Sequence, residues 1–112
     1  MEIDYYISTS GNCPIIKYLS SIKNPGHKRQ ILDDIELLAD LGLSNFKRST
    51  DIKKIKGFKK NIWELRTRCP DNIIYRTLFE HSDNKIKILH IFNKKDKKIR
   101  KQEIEKAINR LQ

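Results

Sequence analysis

Three short runs in this chain set a cation beside an aromatic or aliphatic residue: Trp63-Glu64-Leu65-Arg66, Tyr75-Arg76 and Phe92-Asn93-Lys94-Lys95. Each lies on, or at the end of, a strand-like segment, so a sheet core holds the charge in place. Fixed cations are what binding or reaction at a phosphate needs, because they meet charge on the phosphoryl oxygens without reorganising. Alternation along residues 60–68 puts Trp63, Leu65 and Thr67 on one face and Ile62, Glu64, Arg66 and Arg68 on the other. The first set is expected to meet the helices, and the second to form a charged surface with Arg66 near its centre. In the next segment Arg76 stands between Ile74 and Leu78, while Ile73, Tyr75 and Phe79 point the opposite way.

A guanidinium among apolar residues needs an anion or a path to solvent, since burying it unpaired is costly. Glu64 is the obvious structural partner, so a Glu64–Arg76 cross-strand bridge and a phosphate site both satisfy Arg76. Phe92 also reads two ways. It is a core aromatic followed by a solvated basic turn, or a base-stacking ring next to phosphate-binding ammonium groups. His27, His81 and His90 are scattered, and each reads as surface or edge packing. Cys13 and Cys69 have no metal-site spacing; two cysteines in an unexported chain more often stay reduced. With no glycine-rich phosphate loop and no carboxylate cluster suited to Mg²⁺ or Zn²⁺, hydrolytic chemistry here is expected to be metal-free and without cofactors.

The elements that must position these residues can be read in order. Ile3 to Ile7 forms a short strand, ended by Ser10-Gly11-Asn12. Pro14 suits the first turn of a helix reaching about Ile22. After a turn at Asn24-Pro25-Gly26, a second helix runs from about Pro25 or His27 to Leu41 on the stripe Ile31, Leu32, Ile35, Leu38 and Ala39, with Gly42 as its stop. Asp51 to Gly57 is a basic segment of undetermined type. Strands are expected near 60–68, 72–80 and 85–93, joined by turns short enough for antiparallel neighbours. A last helix spans Asp96 to Leu111 on the narrow stripe Ile104, Ala107, Ile108 and Leu111. The order β-α-α-β-β-β-α predicts an α+β fold, with N-terminal helices on an antiparallel sheet and a C-terminal helix, as one domain over residues 1–112.

Charge is unevenly placed. Residues 1–52 carry 6 Lys/Arg and 7 Asp/Glu, and residues 53–112 carry 18 and 7, balances of −1 and +11 within the net +10. A field of one sign on half a small domain favours an anionic partner such as nucleic acid. The 17 Lys, the absence of Val and the two Ala also fit an AT-rich coding sequence, so Arg66 and Arg76 weigh more than the lysine count. The Met-Glu-Ile-Asp start has no basic region followed by an apolar stretch, and no apolar run has the length of a bilayer span. The expected compartment is the cytoplasm, with no membrane association.

Four pieces in register resemble a known family. They are Lys56-Gly57-Phe58 with Ile62-Trp63-Glu64-Leu65-Arg66; Tyr75-Arg76-Thr77-Leu78-Phe79; Ile88-Leu89-His90-Ile91-Phe92-Asn93-Lys94-Lys95; and Glu103-Ile104-Glu105-Lys106-Ala107. Together they look like the HigB-like branch of the RelE/ParE toxin superfamily, and the resemblance covers most of the chain. The chain departs from the pattern where that family has Thr-Pro before its last helix. Ile99 and Arg100 stand there, and Asp96 is the alternative cap.

The resemblance implies the toxin of a type II toxin–antitoxin pair, a ribosome-dependent mRNA endoribonuclease. Its implied catalytic set is Arg66, Arg76, Lys94 and Lys95, with Phe92 holding a base and Lys54, Lys56, Lys59 and Lys60 docking on ribosomal RNA. The implied partners are mRNA on the ribosome and a cognate antitoxin of the helix-turn-helix kind. Two other readings accompany it: a ParE-like gyrase inhibitor, and a basic RNA-binding module that does not cleave.

Overall fold

The structure is a computed structural model that describes residues 1–44, 51–57, 61–93 and 101–111. Its elements are β1 (Glu2–Tyr5), α1 (Pro14–Ser21), α2 (Pro25–Leu41), β2 (Ile52–Lys54), β3 (Ile62–Cys69), β4 (Ile73–Ser82), β5 (Lys85–Asn93) and α3 (Lys101–Asn109). This is an α+β fold, with the strands side by side in the order β1-β5-β4-β3-β2. The basic segment left undetermined by the sequence supplies β2, an edge strand antiparallel to β3. The sheet is mixed, whereas the sequence reading expected it to be antiparallel. β1 runs parallel to β5, from Glu2 opposite Lys85 to Tyr5 opposite Ile88. Short turns dictate antiparallel pairing only between sequence neighbours, and β1 and β5, adjacent in the sheet, are far apart in the chain.

Local chemistry sets the helix limits. Pro25 occupies the first turn of α2, where no amide hydrogen bond is lost. The Asn24 side chain accepts from the Gly26 amide at 2.9 Å and the His27 amide at 3.4 Å. Gly42 ends α2 at φ +80°, a conformation glycine adopts without steric cost, and its amide donates to the Leu38 carbonyl. Between β3 and β4 the turn Pro70–Asn72 holds Asp71 and Asn72 at positive φ, which their short polar side chains tolerate.

One core lies between the sheet and the two N-terminal helices. Ile31, Ile35 and Leu38 of α2, with Ile15 and Leu19 of α1, meet Leu65, Tyr75, Phe79, Ile86, Ile88 and Ile91 from the strands. Burial of each large apolar side chain there contributes about 1.5–3 kcal/mol. Trp63 and Leu65 do face these helices, as alternation predicts. A second, smaller cluster lies on the opposite face, where Ala107, Ile104 and Leu111 of the α3 region cover Leu78, Leu89 and Phe92.

A β-bulge in β5 decides which residues share that second face. Leu78 pairs with His90 but Phe79 pairs with Ile88, which leaves Leu89 as an extra residue. Strict alternation would keep Ile86, Ile88, His90 and Phe92 together. The bulge instead sends Ile86, Ile88 and Ile91 to the main core and turns Phe92 to the α3 side.

Candidate functional site

The strand registers bring three of the expected site residues into one row. Arg66 of β3 lies directly opposite Arg76 of β4, and Arg76 lies directly opposite Phe92 of β5. Directly opposite residues have Cβ atoms about 4.5–5.5 Å apart, a distance at which two like charges repel. Glu64 sits between the two guanidinium groups. One carboxylate oxygen accepts from Arg66 Nε at 2.6 Å and the other from Arg76 Nη1 at 3.1 Å. Glu64 thus meets each guanidinium with a different oxygen.

Burial grades these three side chains. Glu64 is 0% exposed and Arg76 3%, while the Arg66 side chain is 23% exposed. The face expected to be a charged surface is therefore largely covered, because Ile62, Leu78 and α3 also occupy it. The Glu64–Arg76 bridge that the sequence allowed is present, and Arg66 shares it. Arg76, expected to clamp a phosphate with both nitrogens, here directs Nη1 at a buried carboxylate.

Phe92 is 7% exposed, and its ring stacks on His90 with centroids 5.3 Å apart. The exposed stacking face expected of it is absent in this conformation because His90 and α3 cover the ring. Lys54 is exposed on edge strand β2, opposite Trp63, and Lys53 is opposite Glu64. Lys56 is exposed just beyond β2. Lys59, Lys60, Lys94 and Lys95 lie outside the described residues, as do Asp96, Ile99 and Arg100.

The sequence reading missed a second polar cluster beside the row. His90 lies between two α3-side residues, its Nε2 hydrogen-bonded to Glu103 and its Nδ1 accepting from Arg110 Nη1 at 3.3 Å. That network assigns a neutral imidazole carrying its proton on Nε2. Burial lowers the His90 pKa. The Glu103 hydrogen bond and charge oppose that shift, while Arg110 and Lys106 reinforce it. Arg110 also donates to the carbonyl of the bulge residue Leu89 at 2.8 Å and stacks over Tyr6, 5.4 Å from the ring centroid. His90 and Glu103 were visible as types, but nothing in their spacing announced the contact.

On the helix-covered face, His27 is buried with Nδ1 3.1 Å from the Tyr75 hydroxyl, so it is neither surface nor edge packing. Cys13 and Cys69 are free thiols. Burial, helped by Asp34, raises the Cys69 pKa, which makes it a poor nucleophile. Arg68, two residues beyond Arg66 in β3, pairs with buried Asp51 at 2.8 Å. Among the described residues, no three His, Cys, Asp or Glu side chains converge as metal ligands would. No described helix is long and apolar enough to cross a membrane.

A family model described as phage-derived protein Gp49-like matches residues 18–112, from the middle of α1 to the end of the chain. The chain belongs to the Gp49-like family. That family is one of RelE/HigB-like toxins of toxin–antitoxin systems, so a cognate antitoxin is the partner it implies. The matched span contains Glu64, Arg66, Arg76, Phe92 and the His90 cluster. A comparison with curated proteins finds no match.

Proposed function

We propose that this chain is the toxin of a type II toxin–antitoxin pair and acts as a ribosome-dependent, metal-free mRNA endoribonuclease of the HigB-like kind. The supporting observation is the row Arg66–Arg76–Phe92, which sets two guanidinium groups and an aromatic ring side by side on three adjacent strands. In the reaction the ribose 2′-oxygen loses its proton and bonds to the adjacent phosphorus. The bond from phosphorus to the 5′-oxygen breaks, and that oxygen takes up a proton. The products are a 2′,3′-cyclic phosphate and a 5′-hydroxyl. Charge builds on the phosphoryl oxygens and on the leaving oxygen, so fixed cations are the main requirement.

Arg66, the more exposed guanidinium, is the first to meet the phosphate, and Arg76 completes the positive row behind it. Lys94 or Lys95, which follow Phe92 and Asn93 in the chain, neutralise the phosphate or lower the pKa of the attacking hydroxyl. Phe92 orients a neighbouring base, which requires α3 to shift off its ring. Lys54 and Lys56, with Lys59 and Lys60, dock on ribosomal RNA. The ribosome presents the mRNA, so a small enzyme need not bind codons tightly alone. The neighbouring gene is expected to encode a helix-turn-helix antitoxin, and the protein is expected to work in the cytoplasm.

Burial of Arg76 and Phe92 favours a second reading, in which the cations are structural and the toxin acts without cleaving RNA, as a ParE-like gyrase inhibitor would. The two separate on one experiment. Wild type and Arg66→Ala are expressed in growing cells, and mRNA 5′ ends are mapped. New 5′ ends are expected with wild type, falling about a hundredfold or more in the variant, as for loss of one donor to a developing oxyanion. Growth arrest with intact mRNA would exclude the ribonuclease.

A further inference from the structure

We propose that Arg68 is a substrate-binding residue that holds the phosphate next to the scissile one, so that β3 grips a single-stranded RNA at two successive phosphates. This rests on the ribonuclease reading, which brings the scissile phosphate to Arg66, and it assigns a role to a side chain outside the row Arg66–Arg76–Phe92.

Strand geometry sets the spacing. Residues two apart share one face of a strand, so Arg68 leaves β3 on the same side as Arg66. A rise of about 3.3 Å per residue puts their Cα atoms about 6.6 Å apart. That is close to the step between successive phosphates along an extended single strand. Two long side chains leaving one face at this separation can each meet one phosphate of the same strand.

Burial and pairing leave the end of Arg68 open. Its side chain is 52% exposed, against 23% for Arg66. Ile74 stands directly opposite it in β4 and offers no anion. Its Nε donates to Asp51 Oδ1 at 2.8 Å, and Asp51 is buried. Holding Nε, the guanidinium nitrogen nearest the backbone, limits rotation of the guanidinium plane. Arginine carries five N–H donors in a planar fork, and the four on Nη1 and Nη2 bond to no described residue here. Two parallel bonds from that end fit two oxygens of one phosphate. The ion pair is also lopsided. The carboxylate is sealed in while the cation faces water, so the charge that an approaching RNA meets first is the positive one.

The test uses the full-length protein with a short single-stranded RNA for binding, and translating ribosomes from a purified system for cleavage. Arg68→Gln removes the charge and keeps an amide able to donate to Asp51. Its RNA affinity is expected to fall about tenfold, as for loss of one charge-assisted contact. The slope of log affinity against log salt should become shallower by about 0.7 for the one phosphate no longer neutralised. On ribosomes kcat/KM should fall, mainly through KM, because the contact is made before and during the reaction alike.

Replacing single phosphates of the RNA by uncharged methylphosphonate separates binding from folding. In wild type the replacement next to the scissile position should weaken binding, and in Arg68→Gln the same replacement should add no further loss. Arg68→Lys keeps the cation beside Asp51, so it remains informative if Arg68→Gln does not fold. It should keep the salt slope and the response to methylphosphonate, with a weaker affinity because an ammonium cannot fork two oxygens. A wild-type salt slope in folded Arg68→Gln, or wild-type binding indifferent to methylphosphonate beside the scissile position, would overturn the proposal while leaving cleavage by wild type intact. No cleavage by wild type would overturn the ribonuclease reading, and the proposal with it.

Discussion

The two faces of the sheet follow different rules. Towards α1 and α2 the strands present Leu65, Tyr75, Phe79, Ile86, Ile88 and Ile91, a continuous apolar layer met by the stripes of two helices. Towards α3 the same strands present Glu64, Arg66, Arg76 and His90 among a few apolar residues, and among the described residues α3 packs on the apolar ones and on His90. The first face would specify this fold whatever the protein did. The second carries buried charge, and apolar residues of similar volume often match or exceed a buried ion pair in stability. It is therefore where selection for an activity shows.

The largest effect expected on this contrast comes from Phe79, which is fully buried under the helices. Phe79→Ala should cost about 3–5 kcal/mol, the usual range for emptying a buried aromatic site. Urea denaturation measures it, and the midpoint should move without much change in slope. If the faces divide as described, cleavage per folded molecule should stay near wild type. A much smaller stability loss would mean that the helices pack loosely on this layer.

A smaller effect concerns how α3 is held on the second face. Burial keeps the His90 pKa below its ordinary value near 6.5, against the pull of Glu103. The unfolded chain therefore binds more protons than the folded one between the two pKa values. The stability contribution of His90 is complete above about pH 6.5 and is lost as pH falls towards the folded pKa. The physical cause is visible in the contacts. Protonated Nδ1 cannot accept from Arg110, and the new charge faces both Arg110 and Lys106, with Glu103 in its favour among the described residues. Amide hydrogen exchange in α3 should quicken between pH 7 and 5.5 in wild type. In His90→Gln that pH response should be lost, beyond the intrinsic change of exchange rate with pH. An unaltered response in the variant would place the titrating group elsewhere.

Much of this contrast could be read from residue order, and what could not has identifiable causes. Pro14, Asn24-Pro25 and Gly42 punctuate the helices by local chemistry, so α1 and α2 begin and end close to where the sequence places them. Period-2 alternation separates Leu65 from Glu64 and Arg66, and Tyr75 from Arg76, and the two faces follow. Alternation fails at Leu89. The run Ile86–Phe92 is apolar at nearly every second position on both parities, so nothing local marks an extra residue. The parallel partner of β1 and the landing place of α3 depend on tertiary packing between distant segments. The sharing of Glu64 was closer to hand. Glu64 and Arg66 are two apart on one strand face, so a carboxylate within reach of Arg76 was within reach of Arg66 as well.

The smallest effect, at Asn24, tests the helix-covered face from its edge. The Asn24 side chain accepts from the Gly26 amide, a donor the first turn of α2 cannot satisfy internally, and from the His27 amide, which also reaches the Asn24 carbonyl at 3.2 Å. Asn24→Ala should cost about 1 kcal/mol, whereas Asn24→Gly should cost only a few tenths, because glycine is itself tolerated at this position. For a chain of this size the alanine variant should melt about 4 °C lower. His27 is one of the two residues whose amides are capped, and its ring meets the Tyr75 hydroxyl in the main core. A loosened first turn should therefore appear in the exchange of the α2 amides before it appears anywhere on the Arg66–Arg76 face. Equal losses for alanine and glycine would show that the cap is not what holds this turn, and a fall in cleavage per folded molecule would show that the two faces are coupled.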